Sequence, residues 1–321
     1  MDTPLTSAAP AELVSIVMPA YNAEQYIAAS IESILAQTHT AWELWIVDDG
    51  STDATRQVVE AYCQRDSRIH YLYQQNARQG AARNNAIAHA TGQLLAFLDS
   101  DDLWLPHKLA TQLVQLHSSG ADLVFADAYV FYDSYEPGTD YKVLGAVPGI
   151  FTGQVGLEAC LRSNPIPILT VLATKAAISR AGDFSENPKI QNAEDYHLWL
   201  RLLLTGSTLI GYPVILAAYR ESYASVSGSD RINTQQVIEA KAELAQLFPA
   251  SNPLIERSLE ESIRENMYKF ASYNSEAFFA TVSRCLAITH RKNWKPLFTL
   301  YHTFSLQKLA LRSFYFIFNY F

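Results

Sequence analysis

The run Leu94-Leu95-Ala96-Phe97-Leu98 ends abruptly in Asp99-Ser100-Asp101-Asp102. An apolar stretch of strand length thus delivers three carboxylates together. Open α/β sheets bind ligands outside the carboxyl ends of their strands. Carboxylate oxygens suit Mg²⁺ or Mn²⁺, ions that commonly share their coordination with substrate phosphates. An acidic turn after a strand needs no chemistry to explain it, so the neighbouring runs decide its weight. Two of them also end in polar residues. Val14 to Met18 leads into Pro19-Ala20-Tyr21-Asn22, and Trp42 to Val47 leads into Asp48-Asp49-Gly50-Ser51. In a parallel sheet all three ends lie on one edge. There Tyr21 can stack on a flat base, Asp49 can accept from a base N–H, and Asp99 with Asp101 can manage a ribose and a metal-bound diphosphate.

Two further segments carry chemistry-bearing residues. Gly80-Ala81-Ala82-Arg83-Asn84-Asn85 opens a helix whose small residues permit close packing. Arg83 can reach a phosphate or pair with the acidic cluster; a surface arginine is the plain alternative. Asn192-Ala193-Glu194-Asp195-Tyr196-His197-Leu198-Trp199-Leu200 reads as a helix start, with Asn192 as cap and Leu198, Leu202 and Leu203 facing inward. Acidic residues in a first turn are favoured by the helix dipole, which accounts for Glu194 and Asp195 structurally and leaves a catalytic use open.

These residues need a frame. Strands are expected at residues 14–18, 42–47, 69–73, 94–98 and 123–125. Helices are expected at 23–37, 53–65, 80–90 and from Pro106, at a favoured first helical position, to about His117. Such alternation implies right-handed crossovers and a mostly parallel sheet, an α/β fold. The near-continuous apolar strands agree, since such sheets are covered on both faces. From Asp133 to Phe151 the pattern breaks into scattered Gly, Pro and Tyr, a long connection and a domain seam. Residues 154–220 return to mixed structure, and beyond about Arg231 only helices are expected.

The 321 residues are 49% hydrophobic and 17% charged, ordinary for a globular chain. A net charge of -8 disfavours nucleic acid as a partner. Three distant cysteines, Cys63, Cys160 and Cys285, form neither a disulfide framework nor a metal cluster and suit a reducing compartment. Met1 to Pro10 lacks the pattern of a signal peptide, and no apolar run reaches about 18 residues, so a cytoplasmic protein is expected.

Ser15 to Asn22, Val47 to Asp53, Gly80 to Asn84, Phe97 to Asp102 and Glu194-Asp195 together resemble family 2 glycosyltransferases in order and spacing, across roughly residues 13 to 220. The resemblance implies a GT-A (Rossmann-like) fold, a nucleotide-sugar donor, a Mn²⁺ or Mg²⁺ ion and inversion at the anomeric carbon. Pro19, Tyr21 and Asp49 resemble the uridine-binding positions, with Glu24 near them. Arg83 resembles the arginine close to the nucleotide. Asp99-Ser100-Asp101 resembles the DXD motif, Asp99 lying near the ribose and Asp101 ligating the metal. Asp195 matches the general base, with Glu194 beside it. Ala181 to Glu186 resembles the family's Gly-Gly-Phe-Asp-Glu loop with a changed residue before the phenylalanine. Where many relatives carry a metal-side histidine two residues after Arg220, this chain has Ser222.

The division this implies is a flexible start at 1–12, a GT-A catalytic domain at 13–225 and a helical region at 226–321. Within the catalytic domain, 13–130 is the nucleotide-sugar half and 131–225 the acceptor half. The expected reaction moves a sugar from a UDP-sugar to a glycan or lipid-linked acceptor hydroxyl in cell-surface polysaccharide synthesis. The segment from Trp294 to Phe321 interleaves aromatics with Lys295, Lys308 and Arg312. It is a candidate interfacial helix for peripheral contact with the inner face of the cell membrane, or a helix packed on the protein or on a second copy in a homodimer. Two rival functions remain at this level. One is a nucleotidyltransferase, against which the absence of a glycine-rich loop after the first strand speaks. The other is a non-catalytic glycan-binding or scaffold protein.

Overall fold

The structure, a computed structural model, describes residues 12–221 and 230–271. The readings placed on Ser222, on Cys285 and on the segment from Trp294 fall outside the described residues. The described chain divides into two compact units, residues 12–186 with 198–221 and residues 187–197 with 230–271.

The first unit begins β1 (Val14–Ala20), α1 (Ile27–Leu35), β2 (Trp42–Asp48), α2 (Thr55–Cys63), β3 (Ile69–Tyr73), α3 (Arg78–His89) and β4 (Leu94–Phe97). The strands of this stretch lie in the order β3-β2-β1-β4 and all run parallel. Every residue of β1 and of β4 is buried, because helices cover both faces. Ile27, Ile31 and Ile34 of α1 form one buried stripe in that core, as their spacing requires.

The chain continues with β5 (Leu103–Trp104), α4 (Lys108–Ser119), β6 (Leu123–Phe131), β7 (Gly149–Phe151), α5 (Gly153–Arg162), β8 (Leu172–Thr174) and α6 (Lys175–Arg180). After α7 (Glu194–Leu204) comes β9 (Leu209–Arg220). The full order is β3-β2-β1-β4-β8-β6-β9-β5, with β7 also on β9. β8 is antiparallel to both β4 and β6, while β6 and β9 run parallel. Pro106 lies before the helix rather than at its first position. Its carbonyl accepts from Thr38 N–H at 2.9 Å, and Lys108 N–H closes a turn onto Leu105, so α4 starts at Lys108. β6 runs six residues beyond the expected end at Phe125, reaching Phe131 through a register shift near Asp127.

The second unit contains α8 (Asp230–Leu247) and α9 (Asn252–Ala271), joined through a single 3₁₀ turn at Pro249–Ser251. Ile238, Leu244, Ile255, Leu259 and Ile263 are buried. Lys241 Nζ donates to the hydroxyls of Ser258 and Ser262 at 2.9 and 2.7 Å. The boundary between units falls inside α7, after His197. No helix among the described residues is long and apolar enough to cross a membrane.

Candidate active site

Because β1 to β4 are parallel, their carboxyl ends do share an edge. Ala20 pairs with Asp48, Asp48 with Tyr73, and Val17 with Phe97. The turns after β1 and β2 are fastened to each other. Asn22 N–H donates to Ser51 Oγ and Thr52 N–H to Asn22 Oδ1, both at 2.9 Å. Glu24 N–H donates to Asp53 at 3.0 Å, and the Glu24 carboxylate accepts from Ala54 N–H at 2.8 Å. Glu24 therefore caps the approach to α2. Asn22, at φ +49, sits in the left-handed region that asparagine tolerates.

Asp49 is buried and organises the next loop. Its Oδ1 accepts from Gln74 Nε2 and from Ala77 N–H, and its Oδ2 from Arg78 N–H, all at 2.8 Å. Gly50, at φ +85, makes this possible, since a Cβ there would meet the Asn76 amide nitrogen at 3.0 Å. Pro19 is buried in β1, whereas Tyr21 and Tyr73 stand 54% and 58% exposed at the ends of their strands. Rings so placed are open to stacking.

The acidic turn is held from two sides. Arg83, only 2% exposed, donates through Nη2 to Asp99 Oδ1 at 2.7 Å, so it pairs with the cluster. Asp102 is buried and accepts from Arg220 N–H at 2.8 Å. Burial, then the charges of Asp101 and Asp99, hold its carboxyl well above the usual range. The Asp101 carboxylate receives a hydrogen bond only from its own main chain. Burial, then Asp99, pushes it up to about 6. Ser100 is half-buried between them.

Asn84 anchors the loop from Ala181 to Glu186. It accepts from Phe184 N–H and donates to Phe184 O and Glu186 Oε1, each at 2.9 Å. Phe184 packs edge-on against Phe97, ring centres 5.4 Å apart. Arg201 donates to the carbonyls of Ala181, Gly182 and Asp183. Asp183 sits at φ +53, in the left-handed region that aspartate tolerates and glycine adopts freely.

Glu194 and Asp195 occupy the first turn of α7, within the second unit. Glu194 is buried and Asp195 half-buried, with Asp195 Oδ1 accepting from Tyr196 N–H at 2.6 Å. Asn192 is not the cap. Its amide donates to Gln236 Oε1 at 3.2 Å, and Ala193 O accepts from His197 N–H instead. Within the same unit, His197 Nε2 lies 3.6 Å from Glu243 Oε1.

Sequence reasoning passed over Arg220, Asn84 and Arg201 as working residues. Their partners lie 119, 100 and 20 positions away, so no local pattern announces them. A lone arginine closing the largely apolar strand Leu209–Arg220 was the available signal.

The sequence profile of Glycosyl transferase family 2 matches residues 15–160. TuaG of Bacillus subtilis, named for teichuronic acid biosynthesis, is 34% identical over 218 residues, covering 68% of this chain and 82% of TuaG. The chain belongs to glycosyltransferase family 2. Escherichia coli WfgD, named a UDP-Glc:α-D-GlcNAc-diphosphoundecaprenol β-1,3-glucosyltransferase, is 35% identical over 219 residues, covering 68% of this chain and 80% of WfgD. S. aureus TarS 1–349 superposes with a TM-score of 0.68 at 16% identity, covering 95% of this chain and 91% of that one. The fold is thus GT-A, the chain is a glycosyltransferase, and the nucleotidyltransferase and scaffold readings are set aside.

Family 2 enzymes with this fold commonly use a divalent cation. PcManGT of Pyrobaculum calidifontis, solved with GDP-Man and Mn²⁺, has a TM-score of 0.55 to this chain at 17% identity, covering 94% of this chain and 86% of that one. Among the described residues, no three His, Cys, Asp or Glu side chains are grouped to hold an ion by themselves. The turn nevertheless fits an ion completed by substrate. Asp101 is a half-buried carboxylate that accepts no side-chain hydrogen bond, and the neighbouring Asp99 raises the cost of its charge, which a cation would relieve.

Proposed function

We propose that this glycosyltransferase takes a UDP-sugar as donor and transfers the sugar, with inversion, to a hydroxyl of a lipid-linked diphosphate saccharide in cell-surface polysaccharide synthesis. The observation that carries the reading is the shared strand edge on which Tyr21, Asp49, Asp99 and Asp101 stand. WfgD and WfaP, both named for a UDP-Glc donor and a diphosphoundecaprenol-linked acceptor, support the substrate classes. TarS, solved with UDP-GlcNAc, shares the fold.

In this reading Tyr21 stacks on the base, and the lone pair of Asp49 left over from Gln74, Ala77 and Arg78 accepts from it. Asp99, kept in place by Arg83, faces the ribose. Asp101 holds the divalent cation; when bound, that ion neutralises charge on the leaving diphosphate. Asp195 accepts the proton of the acceptor hydroxyl as its oxygen forms the new bond, and Glu194 shapes the turn beside it. A single displacement inverts the anomeric centre.

The test is transfer from a panel of UDP-sugars to a GlcNAc-diphospholipid with Mn²⁺, comparing wild type with Asp195→Asn. The expected result is product with one donor, and a loss of about 10² to 10⁴ in rate for the variant with UDP affinity retained. Near wild-type transfer by Asp195→Asn overturns the base. Absence of UDP binding by the wild type overturns the donor.

A further inference from the structure

Arg220 closes β9, and nothing said so far of the reaction uses it. It is 6% exposed, lodged between the rings of Tyr26 and Phe131 with its guanidinium carbon 4.4 Å from each centre. Nε donates to the main-chain carbonyl of Asp101 at 2.9 Å, and Nη1 to the carbonyls of Tyr132 and Asp133 just beyond β6. Its own amide donates to the Asp102 carboxylate at 2.8 Å. One residue thus grips two consecutive members of the acidic turn. It holds the main chain of one and the side chain of the other.

We propose that Arg220 is the positioning residue for the cation carboxylate: by clamping the Asp101 carbonyl and the Asp102 side chain to the ends of β9 and β6, it holds the Asp101 carboxylate ready for a divalent ion and its diphosphate. The inference rests on the donor-and-cation reading above. The acidic turn packs three carboxyl groups together, and such a turn relaxes apart unless it is pinned. Arg83 pins Asp99 through its side chain. Arg220 pins the other two, and the carboxylate that neither arginine takes is that of Asp101. A guanidinium is required for this. Its planar fork serves acceptors in two directions while it stays packed against two rings, which an ammonium cannot do. Arg220 touches no reacting atom in this scheme, so its effect must appear in ion affinity before it appears in the chemical step.

The experiment is Mn²⁺ binding followed by electron paramagnetic resonance of the free ion, with UDP present, for wild type, Arg220→Lys and Tyr26→Ala. Loss of an outer partner of a metal ligand weakens metal binding about 10- to 100-fold, the effect expected for Arg220→Lys. Its donor KM should rise in step at fixed Mn²⁺, with kcat restored at saturating Mn²⁺. Tyr26→Ala removes one face of the stack and should weaken Mn²⁺ about threefold. It also carries the test if Arg220→Lys fails to fold. Unchanged Mn²⁺ affinity in the folded variants, with only a lower melting temperature, makes Arg220 a structural residue and overturns the proposal. If wild type with UDP binds no Mn²⁺, the donor-and-cation reading falls first and this one with it.

Discussion

Strands β1, β2 and β4 carry carboxylates at both ends, Glu43 at the amino edge and the acidic turn at the carboxyl edge, and the two sites are built on opposite principles. At the amino edge the Glu43 carboxylate accepts from Ser15 Oγ at 2.6 Å, from Thr91 N–H and Oγ1 at 2.6 and 3.0 Å, and from Gly92 N–H at 3.3 Å. Burial alone would raise its pKa, but these hydrogen bonds outweigh it and hold the carboxyl below its ordinary value. At the carboxyl edge Asp101 has no such donors, and burial with Asp99 pushes it up to about 6. A carboxylate saturated by protein donors fastens strands together. One left short of donors is held at a cost that a ligand can remove. The difference separates structure from function within a single sheet.

The largest effect should follow Asp101→Asn. Loss of the cation carboxylate should lower kcat/KM at least about 100-fold, since transition-state charge then goes unneutralised. The ligand-free protein should melt no lower than wild type, because a destabilised charge has been removed. The pH dependence has a definite sign. The folded-state pKa of about 6 lies above the ordinary 3.8, so the folded state binds this proton more tightly than the unfolded chain. Without cation, wild type should therefore lose stability relative to Asp101→Asn as pH rises from 4 to 6. Mn²⁺ binding should fade as pH drops below about 6. Parallel melting curves for the two proteins across that range would break the comparison.

Glu43→Gln is the opposite experiment. It replaces charge-assisted hydrogen bonds at a buried site and should cost about 2–4 kcal/mol by denaturant unfolding. Activity per folded molecule and donor KM should not change. Here the folded-state pKa lies below 4.5, so the stabilisation is present above that pH and is lost as pH falls through the folded value. The variant should show the shallower acid limb. A raised donor KM at unchanged stability would mean that the two edges are not separable.

What the sequence made legible follows the same division. Long apolar runs and alternating helices announced β1 to β4 and the shared edge, because burial on both faces writes a continuous pattern. Strands of two or three residues, β5, β7 and β8, are too short to carry a period. The sequence pattern of β6 ends at Phe125 because its later half mixes Asp127 and Tyr129 with apolar residues around a register shift. At the site, residue types were readable and their loyalties were not. Glu24 reads as a ligand contact, and the fold also gives one of its carboxylate oxygens the Ala54 N–H just before α2. Arg83 had two open uses, and the fold chooses Asp99. Arg220 meets Asp101 across 119 positions, a pairing that only the register of β9 creates.

Asp49 tests the rule at its margin, since it stands on the functional edge but is nearly as well supplied with donors as Glu43. One of those donors, Arg78 N–H, comes from a residue at φ +76, a conformation that costs a non-glycine residue about 1 kcal/mol or more. Arg78→Gly keeps the N–H and removes the strain. Glycine gives back part of that gain through unfolded-chain entropy, so the net should be a stabilisation of up to about 1 kcal/mol, about 2 °C in Tm. Arg78→Ala, equally strained, should gain nothing. If donor KM stays constant in both, the Arg78 side chain does not serve the donor, and Asp49 belongs with Glu43 in design. If KM rises in both, the Arg78 side chain serves the donor, and the strain is retained for function.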